Sequence, residues 1–202
     1  MKKLICFALT AFVLLTGMVF GASAATTHTV KKGDTMWKIA VTYEVGLSEI
    51  KAANPQIVNP DLIYPGQVLN IPTADSTVTD FEAEVIRLVN VERTKRGLSA
   101  LQSDWQLSRV ARYKSQDMHD NKYFSHTSPV YGSPFQMMKS FGITYRSAGE
   151  NIARGQRTPA AVVNAWMNSS GHRANILNAS FTHIGVGYVA DGHYWTQMFI
   201  RK

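Results

Sequence analysis

Two stretches of the chain carry different patterns of apolar and polar residues, and each pattern predicts its own small fold. In the first stretch, residues 28–31 alternate as a strand, apolar positions then recur at helical spacing, and residues 67–71 alternate as a closing strand. Asp34 is expected to cap the first helix and Ser48 the second, which Asn54-Pro55 ends. The pattern predicts the order strand, helix, helix, strand.

The second stretch contains helices whose starts are indicated by capping side chains. Their N-caps are predicted at Thr79, which has the capping-box spacing to Glu82, at Ser103 or Asp104, at Ser133 and at Thr158. Glycines at 97 and 142 end the first and third of these helices. The sequence therefore predicts four helix starts before the pattern changes.

Near the end of the chain the pattern changes to a period of two. Residues 182–190 and 193–201 flank Asp191-Gly192, a signal for a tight type I′ hairpin turn that pairs Ala190 with His193. Large apolar residues then lie on both faces of the hairpin, and two glycines leave bare backbone on one of them. Helices must cover both faces, so the predicted fold class is α+β: a small βααβ unit followed by an α/β/α sandwich.

The polar residues 73–80 separate the two units and are predicted to be a linker. Residues 26–72 carry four lysines and four acidic residues, whereas residues 81–202 carry 15 basic and 8 acidic side chains. The formal charge of +7 at pH 7 is therefore concentrated in the second unit. This charge favours anionic partners without identifying them.

Residues 1–24 have the order of a secretory signal: a basic start, an apolar middle and the small residues Ala22-Ser23-Ala24. Cleavage is expected after Ala24 and would leave an exported chain without a transmembrane segment; the alternative is an uncleaved membrane anchor. The chain has one cysteine, Cys6, which lies in this stretch. The mature chain would therefore have no disulfide, no thiolate nucleophile and no Cys-ligated zinc.

The first unit contains the run VKKGDTMWKIA at residues 30–40, then Asn54-Pro55, then IYPGQ at residues 63–67. This combination resembles LysM modules, which bind N-acetylglucosamine chains of peptidoglycan or chitin in a shallow groove. The resemblance implies a glycan-binding groove formed by Gly33, Asp34, Thr35, Met36, Ile63, Tyr64, Pro65 and Gly66. Turn amides would bond acetamido groups, and Ile63, Tyr64 and Pro65 would offer apolar surface to sugar faces. The alternative is that Asp34 and Thr35 only cap a helix and Tyr64 only packs.

In the second unit, His126, Glu150 and His172 form the candidate site, because they are polar residues set among core-type residues. A carboxylate between imidazoles is suited to shared proton transfer or to binding a divalent metal such as zinc. The alternative is that each group is buried and satisfied by local hydrogen bonds. The sequence has no G-x-S-x-G and no H-E-x-x-H motif, so the serine-hydrolase and zincin mechanisms are excluded.

Four further motifs are Phe124-Ser125-His126, Gly149-Glu150-Asn151-Ile152, Ser170 to Leu177, and Ile184 to Gly187. Together they resemble the bacterial branch of the CAP superfamily (SCP/PR-1-like proteins) over residues 81–202, which implies an α/β/α sandwich. Complete family sites carry two His and two Glu, and His126, Glu150 and His172 match three of them. Ser169 stands where the other Glu is expected, so the resemblance implies an incomplete site with weaker metal affinity.

Three functions are compatible with these features. The favoured one is an exported cell-wall or spore-envelope protein that binds peptidoglycan through LysM and presents the CAP domain for binding or scaffolding. The LysM is also similar to that of spore-coat assembly proteins, so spore-coat or wall proteins are expected partners. The alternatives are a wall-targeted metal-dependent hydrolase that uses the CAP cleft, and a basic CAP domain that binds an anionic polymer or lipid. No specific binding of nucleic acid is expected, and the sequence leaves open whether the protein is an enzyme.

Overall fold

The first unit is a two-stranded sheet covered by two helices. The computed structural model describes residues 26–73 and 75–202. The elements of the first unit are β1 (Thr26–Thr29), α1 (Met36–Thr42), α2 (Leu47–Ala53) and β2 (Val68–Ile71), and the two strands pair antiparallel. The predicted strand–helix–helix–strand order is confirmed. Its core consists of Val30, Met36, Ile39, Ala40, Ile50, Leu69 and Ile71.

The cap of α1 is Thr35 and not Asp34, so the prediction for Asp34 is wrong. The Thr35 Oγ1 atom accepts a hydrogen bond from the backbone N–H of Lys38, with a distance of 3.1 Å. Asp34 accepts instead from the backbone N–H of Lys31 at 2.8 Å, and its Oδ2 lies 2.9 Å from His28 Nε2. The Asp34 carboxylate therefore stabilises the turn that precedes the helix.

The second unit is a four-stranded sheet between two layers of helices. Its elements are α3 (Ser76–Thr94), β3 (Gln102–Ser103), α4 (Trp105–Asp120), α5 (Pro134–Ser140), β4 (Ser147–Arg154), α6 (Pro159–Asn168), α7 (Ser170–Ile176), β5 (His183–Val189) and β6 (Tyr194–Arg201). The strand order is β3-β5-β6-β4. Residues of α3, α6 and α7 pack on one face of the sheet, and residues of α4 and α5 pack on the other. The α/β/α sandwich and the α+β class are confirmed.

Capping residues located some helix starts correctly and others wrongly. Asp104, Ser133 and Thr158 cap α4, α5 and α6 as predicted, each through a side-chain hydrogen bond to the first turn. Ser48 is not the cap of α2, which follows Gly46.

The start of α3 also differs from the prediction. Asp75 caps α3 by accepting from the backbone N–H of Thr77 at 2.8 Å, so Thr79 and Glu82 lie inside the helix and not at its start. The Glu82 carboxylate is buried and pairs with Arg112 Nη2 at 2.6 Å, on the other side of the sandwich. The helix thus begins within the stretch predicted as a linker, of which residues 76–80 are helical.

Helix α4 lies directly against β5 because Gly185 and Gly187 have no side chains. A Cβ atom added at Gly187 would overlap the backbone of Arg112, and one added at Gly185 would overlap the backbone of Ser108. The close approach lets Ser115 Oγ donate a hydrogen bond to the Gly187 carbonyl at 3.0 Å. Helix α4 thus packs on the face of the hairpin that these glycines were predicted to leave bare.

The hairpin of β5 and β6 has the predicted register but not the predicted turn. Val189 pairs with Tyr194, which places Ala190 opposite His193. Positive φ angles occur at Gly192 (74°) and His193 (51°), one residue later than in a type I′ turn. The type I′ prediction is therefore wrong.

The predicted signal segment, residues 1–24, lies outside the residues that the structure describes. Within residues 26–73 and 75–202, no helix combines the length and the apolar character that a bilayer crossing requires.

Candidate functional site

Glu150 lies on β4, an element that the sequence pattern did not predict. The strand pairs with β6 and places Glu150 opposite Met198. Residues 149–153 are all buried, so the strand lacks the alternation of a half-exposed strand and carries no period-two signal in the sequence. The Glu150 carboxylate consequently lies deep in the domain, with only 1% of its side chain exposed.

The His126 imidazole covers the Glu150 carboxylate from the solvent side. Nδ1 of His126 lies 2.7 Å from Oε1 of Glu150, and the His126 side chain is 52% exposed. Burial raises the pKa of Glu150 above its usual value, although the hydrogen bond with His126 and the charge of Lys114 act in the opposite direction. Within the described residues, Glu150 Oε2 is buried and has no hydrogen-bond partner. The described residues thus leave part of the hydrogen-bonding capacity of this carboxylate unused.

His172 lies on α7, which the sequence pattern also did not predict. Helix α7 follows α6 through Ser169 and begins without a side-chain cap, which left its start unmarked in the sequence. Asn151 on β4 donates to the His172 carbonyl at 3.1 Å, and Asn175 donates to the Glu150 carbonyl at 3.2 Å. These two amides fix α7, and with it His172, beside the strand that carries Glu150.

The two imidazoles are electrostatically coupled. Burial lowers the pKa of His172 below 6.5, and the positive charge of protonated His126 lowers it further. The lowered pKa favours the neutral form of the His172 imidazole, which can accept a proton.

A titration followed by NMR tests this coupling. We expect the pKa of His172 to lie below 6.5, and we expect His126→Ala to move it upward because one positive neighbour is removed. His119 serves as an internal control of opposite sign, since hydrogen bonds with Asp120 and then Asp191 raise its pKa. A His172 pKa at or above that of His119 would contradict the prediction.

The predicted metal set does not form a three-ligand centre. Among residues 26–73 and 75–202, no three His, Cys, Asp or Glu side chains are grouped so that they could hold a metal ion. In this arrangement Glu150 Oε1 is hydrogen-bonded to His126 Nδ1, and a divalent-metal site at His126, Glu150 and His172 stays a prediction. Ser169, at the position of the missing acid, supplies no carboxylate.

The loop that carries His126 is held by a buried lysine that the sequence analysis missed. Lys114 is 1% exposed, and its Nζ donates to Tyr123 Oη at 2.9 Å, to the Ser125 carbonyl at 2.8 Å and to the His126 carbonyl at 3.0 Å. All three ammonium protons are thus used by the loop. Burial lowers the pKa of Lys114, and the nearby charges of Glu150 and Asp117 oppose this shift.

Asp117, one turn further along α4, accepts hydrogen bonds from side chains of the same segment. It accepts from Tyr123 Oη, from Ser128 Oγ at 2.7 Å and from Asn121 Nδ2 at 2.7 Å. Lys114 and Asp117 lie at helical spacing from the apolar residues of α4 and so share its inward face. This spacing was the sequence signal that could have identified both residues.

In the first unit, the structure brings the two predicted glycan loops together. The backbone N–H of Gly66 donates to the Val30 carbonyl at 2.9 Å, which ties the second loop to the start of the first. Gly33 (φ 90°) and Gly66 (φ 91°) form the two turns. The predicted residues have different surroundings: Met36 is in the core, and the Tyr64 side chain is exposed.

The family model of the cysteine-rich secretory protein (CAP) family matches residues 86–199, which is more than half of the chain. The chain belongs to the CAP family. The LysM family model matches residues 28–72, so the first unit is a LysM domain and the second is a CAP domain. Both resemblances are confirmed.

Three proteins illustrate what this CAP protein is similar to. YkwD of Bacillus subtilis, an uncharacterised protein, is 64% identical over 130 residues, which are 64% of this chain and 51% of YkwD. The chain thus spans about half the length of that relative. A solved extracellular SCP-domain protein from Bacillus anthracis is 36% identical with a TM-score of 0.60, over 68% of this chain and 47% of that one. The spore coat assembly protein ExsA of Bacillus cereus is 50% identical over 46 residues, 23% of this chain and 7% of ExsA.

Proposed function

We propose that this CAP protein is exported to the cell wall or spore envelope, binds N-acetylglucosamine chains of peptidoglycan through its LysM domain, and presents its CAP domain as a binding or scaffolding surface. LysM domains bind N-acetylglucosamine-containing glycans such as peptidoglycan. An extracellular protein and a spore coat assembly protein are among its relatives, which supports this location.

The observation that carries the proposal is the pairing of the two LysM loops. Their backbones are joined at Gly66 and Val30, so the surface between them is preformed and needs little ordering when a glycan binds. Tyr64 lies in the second of these loops and is 54% exposed. An exposed ring on a preformed groove is suited to stacking against a sugar face.

Co-sedimentation with purified peptidoglycan tests the proposal. We expect the full chain to bind, a variant without residues 26–72 to lose binding, and His126→Ala to retain it. Tyr64→Ala is expected to weaken binding roughly tenfold, because a stacking ring is lost. Val58→Ala is the matched control, since Val58 is an exposed LysM residue (96%) outside the predicted groove residues.

The same measurement separates the glycan proposal from the anionic-polymer alternative. Binding that survives deletion of residues 26–72 and falls steeply with salt would assign wall binding to the basic CAP domain and contradict the proposal.

A second function, hydrolysis at the CAP cleft, is favoured by one specific observation. Glu150 is a buried carboxylate with one unpartnered oxygen, and it lies beside a solvent-accessible imidazole. Such a pair can transfer a proton to or from a bound substrate. If the cleft is catalytic, Glu150→Gln should abolish product formation from wall fragments while leaving co-sedimentation unchanged; product formed equally by both proteins would exclude this role.

A further inference from the structure

A bidentate ion pair joins the two domains. Arg109 of α4 lies against α2 of the LysM domain, with its Nε 2.6 Å from Glu49 Oε1 and its Nη2 2.9 Å from Glu49 Oε2. The same Nη2 donates to Ser48 Oγ at 2.8 Å. Two N–H donors on one carboxylate fix the orientation of the guanidinium relative to the carboxylate as well as the distance between them. A single contact would fix only the distance.

The surroundings of Arg109 fix its position on the CAP side. Its guanidinium lies 5.3 Å from the ring centre of Tyr113 and 5.2 Å from that of Phe141. Only 18% of the Arg109 side chain is exposed, so solvent screens this pair less than a surface pair. Burial opposes ionisation of Glu49, but hydrogen bonds from Arg109 and Ser48 hold its pKa below the usual value.

Gly46 makes room for this contact. A Cβ atom added at Gly46 would overlap both Glu49 Oε2 and Arg109 Nε. The backbone of Gly46 has φ −77° and ψ 150°, a conformation that any residue adopts. The glycine is therefore needed for the space that it leaves and not for its backbone freedom.

The contact lies at the end of the LysM domain opposite the glycan loops. β1 and β2 pair Thr29 with Val68 at the end that leads into those loops, and Thr26 with Ile71 at the other end, where Pro72 follows. A cavity of about 220 Å³ lies between the domains at this second end. It is lined by Glu44, Val45, Gly46, Glu49, Pro72, Thr73, Arg109, Arg112 and Tyr113. The glycan loops are thus left uncovered by the CAP domain.

We propose that Gly46, Ser48 and Glu49 form a docking face on the LysM domain that holds α4 of the CAP domain in one fixed orientation. Arg109 is the residue of α4 that engages this face. The two domains then move as one body. A glycan bound to the LysM domain would then set the orientation of the CAP cleft, and this consequence rests on the proposed function. The docking itself does not rest on it.

Backbone ¹⁵N relaxation of the full chain measures docking directly. We expect one rotational correlation time for both domains in the wild type. Arg109→Ala, Glu49→Gln and Gly46→Val are each expected to weaken docking roughly tenfold, so that the smaller LysM domain acquires a shorter correlation time than the CAP domain. The three variants act from both sides of the contact and by different means.

Arg96→Ala is the matched control. Arg96 forms a 2.6 Å pair with Glu92 on the exposed surface of α3, and its loss should leave one common correlation time. Retained dispersion of the LysM amide signals shows that a variant is folded, and Glu49→Gln keeps the side-chain shape if the others unfold.

Two results would overturn the proposal: separate correlation times in the wild type, or a single one in folded Glu49→Gln and Gly46→Val. Peptidoglycan co-sedimentation of the same variants should be unchanged, because the groove is at the other end. Loss of docking and loss of glycan binding are therefore distinguishable.

Discussion

Replacing Lys114 with Met is expected to destabilise the CAP domain by about 3 kcal/mol and to release the loop that carries His126. Met has a similar length but no donors. The Ser125 and His126 carbonyls would then lose their partner, and the buried Glu150 and Asp117 would lose a neighbouring positive charge.

Thermal unfolding and NMR together check this prediction. A loss of this size lowers the Tm by about 10 °C in a domain of this length. In the folded variant, the signals of His126 should show that its imidazole no longer has a single position against Glu150. Lys95→Met is the control, since Lys95 is exposed and its Nζ forms a surface pair with Glu92 at 3.1 Å. Equal Tm values for the two variants would mean that Lys114 does not hold the loop.

Gly187→Ala is expected to cost about 3 kcal/mol, because its methyl group would overlap backbone and not a flexible side chain. The backbone of Arg112 could move away only if α4 shifted off the sheet. Such a shift would also break the hydrogen bond from Ser115 to the Gly187 carbonyl.

Gly171→Ala is the matched control for this substitution. Gly171 lies in α7, where an added Cβ would meet no atom within 4 Å. Since Ala is the better helix former, this variant should gain about 0.5 kcal/mol. Chemical denaturation of both variants gives the two values, and a neutral effect of Gly187→Ala would contradict the close packing of α4 on β5.

Local chemistry explains which parts of the fold could be predicted. The starts of α4, α5 and α6 were located correctly because Asp104, Ser133 and Thr158 each bond to the first turn of their own helix. The caps at Asp34 and Ser48 were wrong because short polar side chains also stabilise turns near a helix start.

The elements that carry the site left weaker signals. β4 is buried along most of its length, and it contains Glu150 and Asn151 where a buried strand is normally apolar. Helix α7 begins at Ser170-Gly171, a pair typical of loops. Candidate site residues thus interrupt the sequence patterns of the strand and the helix that carry them.

Contacts between distant residues could not be predicted from spacing. His126 and Glu150 were assigned to one candidate site because both are polar residues set among core-type residues, and the structure places them in direct hydrogen-bond contact. Nothing near Glu49 indicated that Arg109, 60 residues later, would reach it. The roles of Glu49 and Arg109 depend on how the LysM and CAP domains meet.

The Arg109 side chain occupies the space that a Cβ atom at Gly46 would fill, and this has a consequence for domain exchange. A LysM module transplanted from another protein would place a Cβ atom here unless it also had a glycine, and that atom would overlap the present positions of Arg109 Nε and Glu49 Oε2. On the docking proposed above, the graft would hold the CAP domain less firmly, and the two domains would turn more independently of each other.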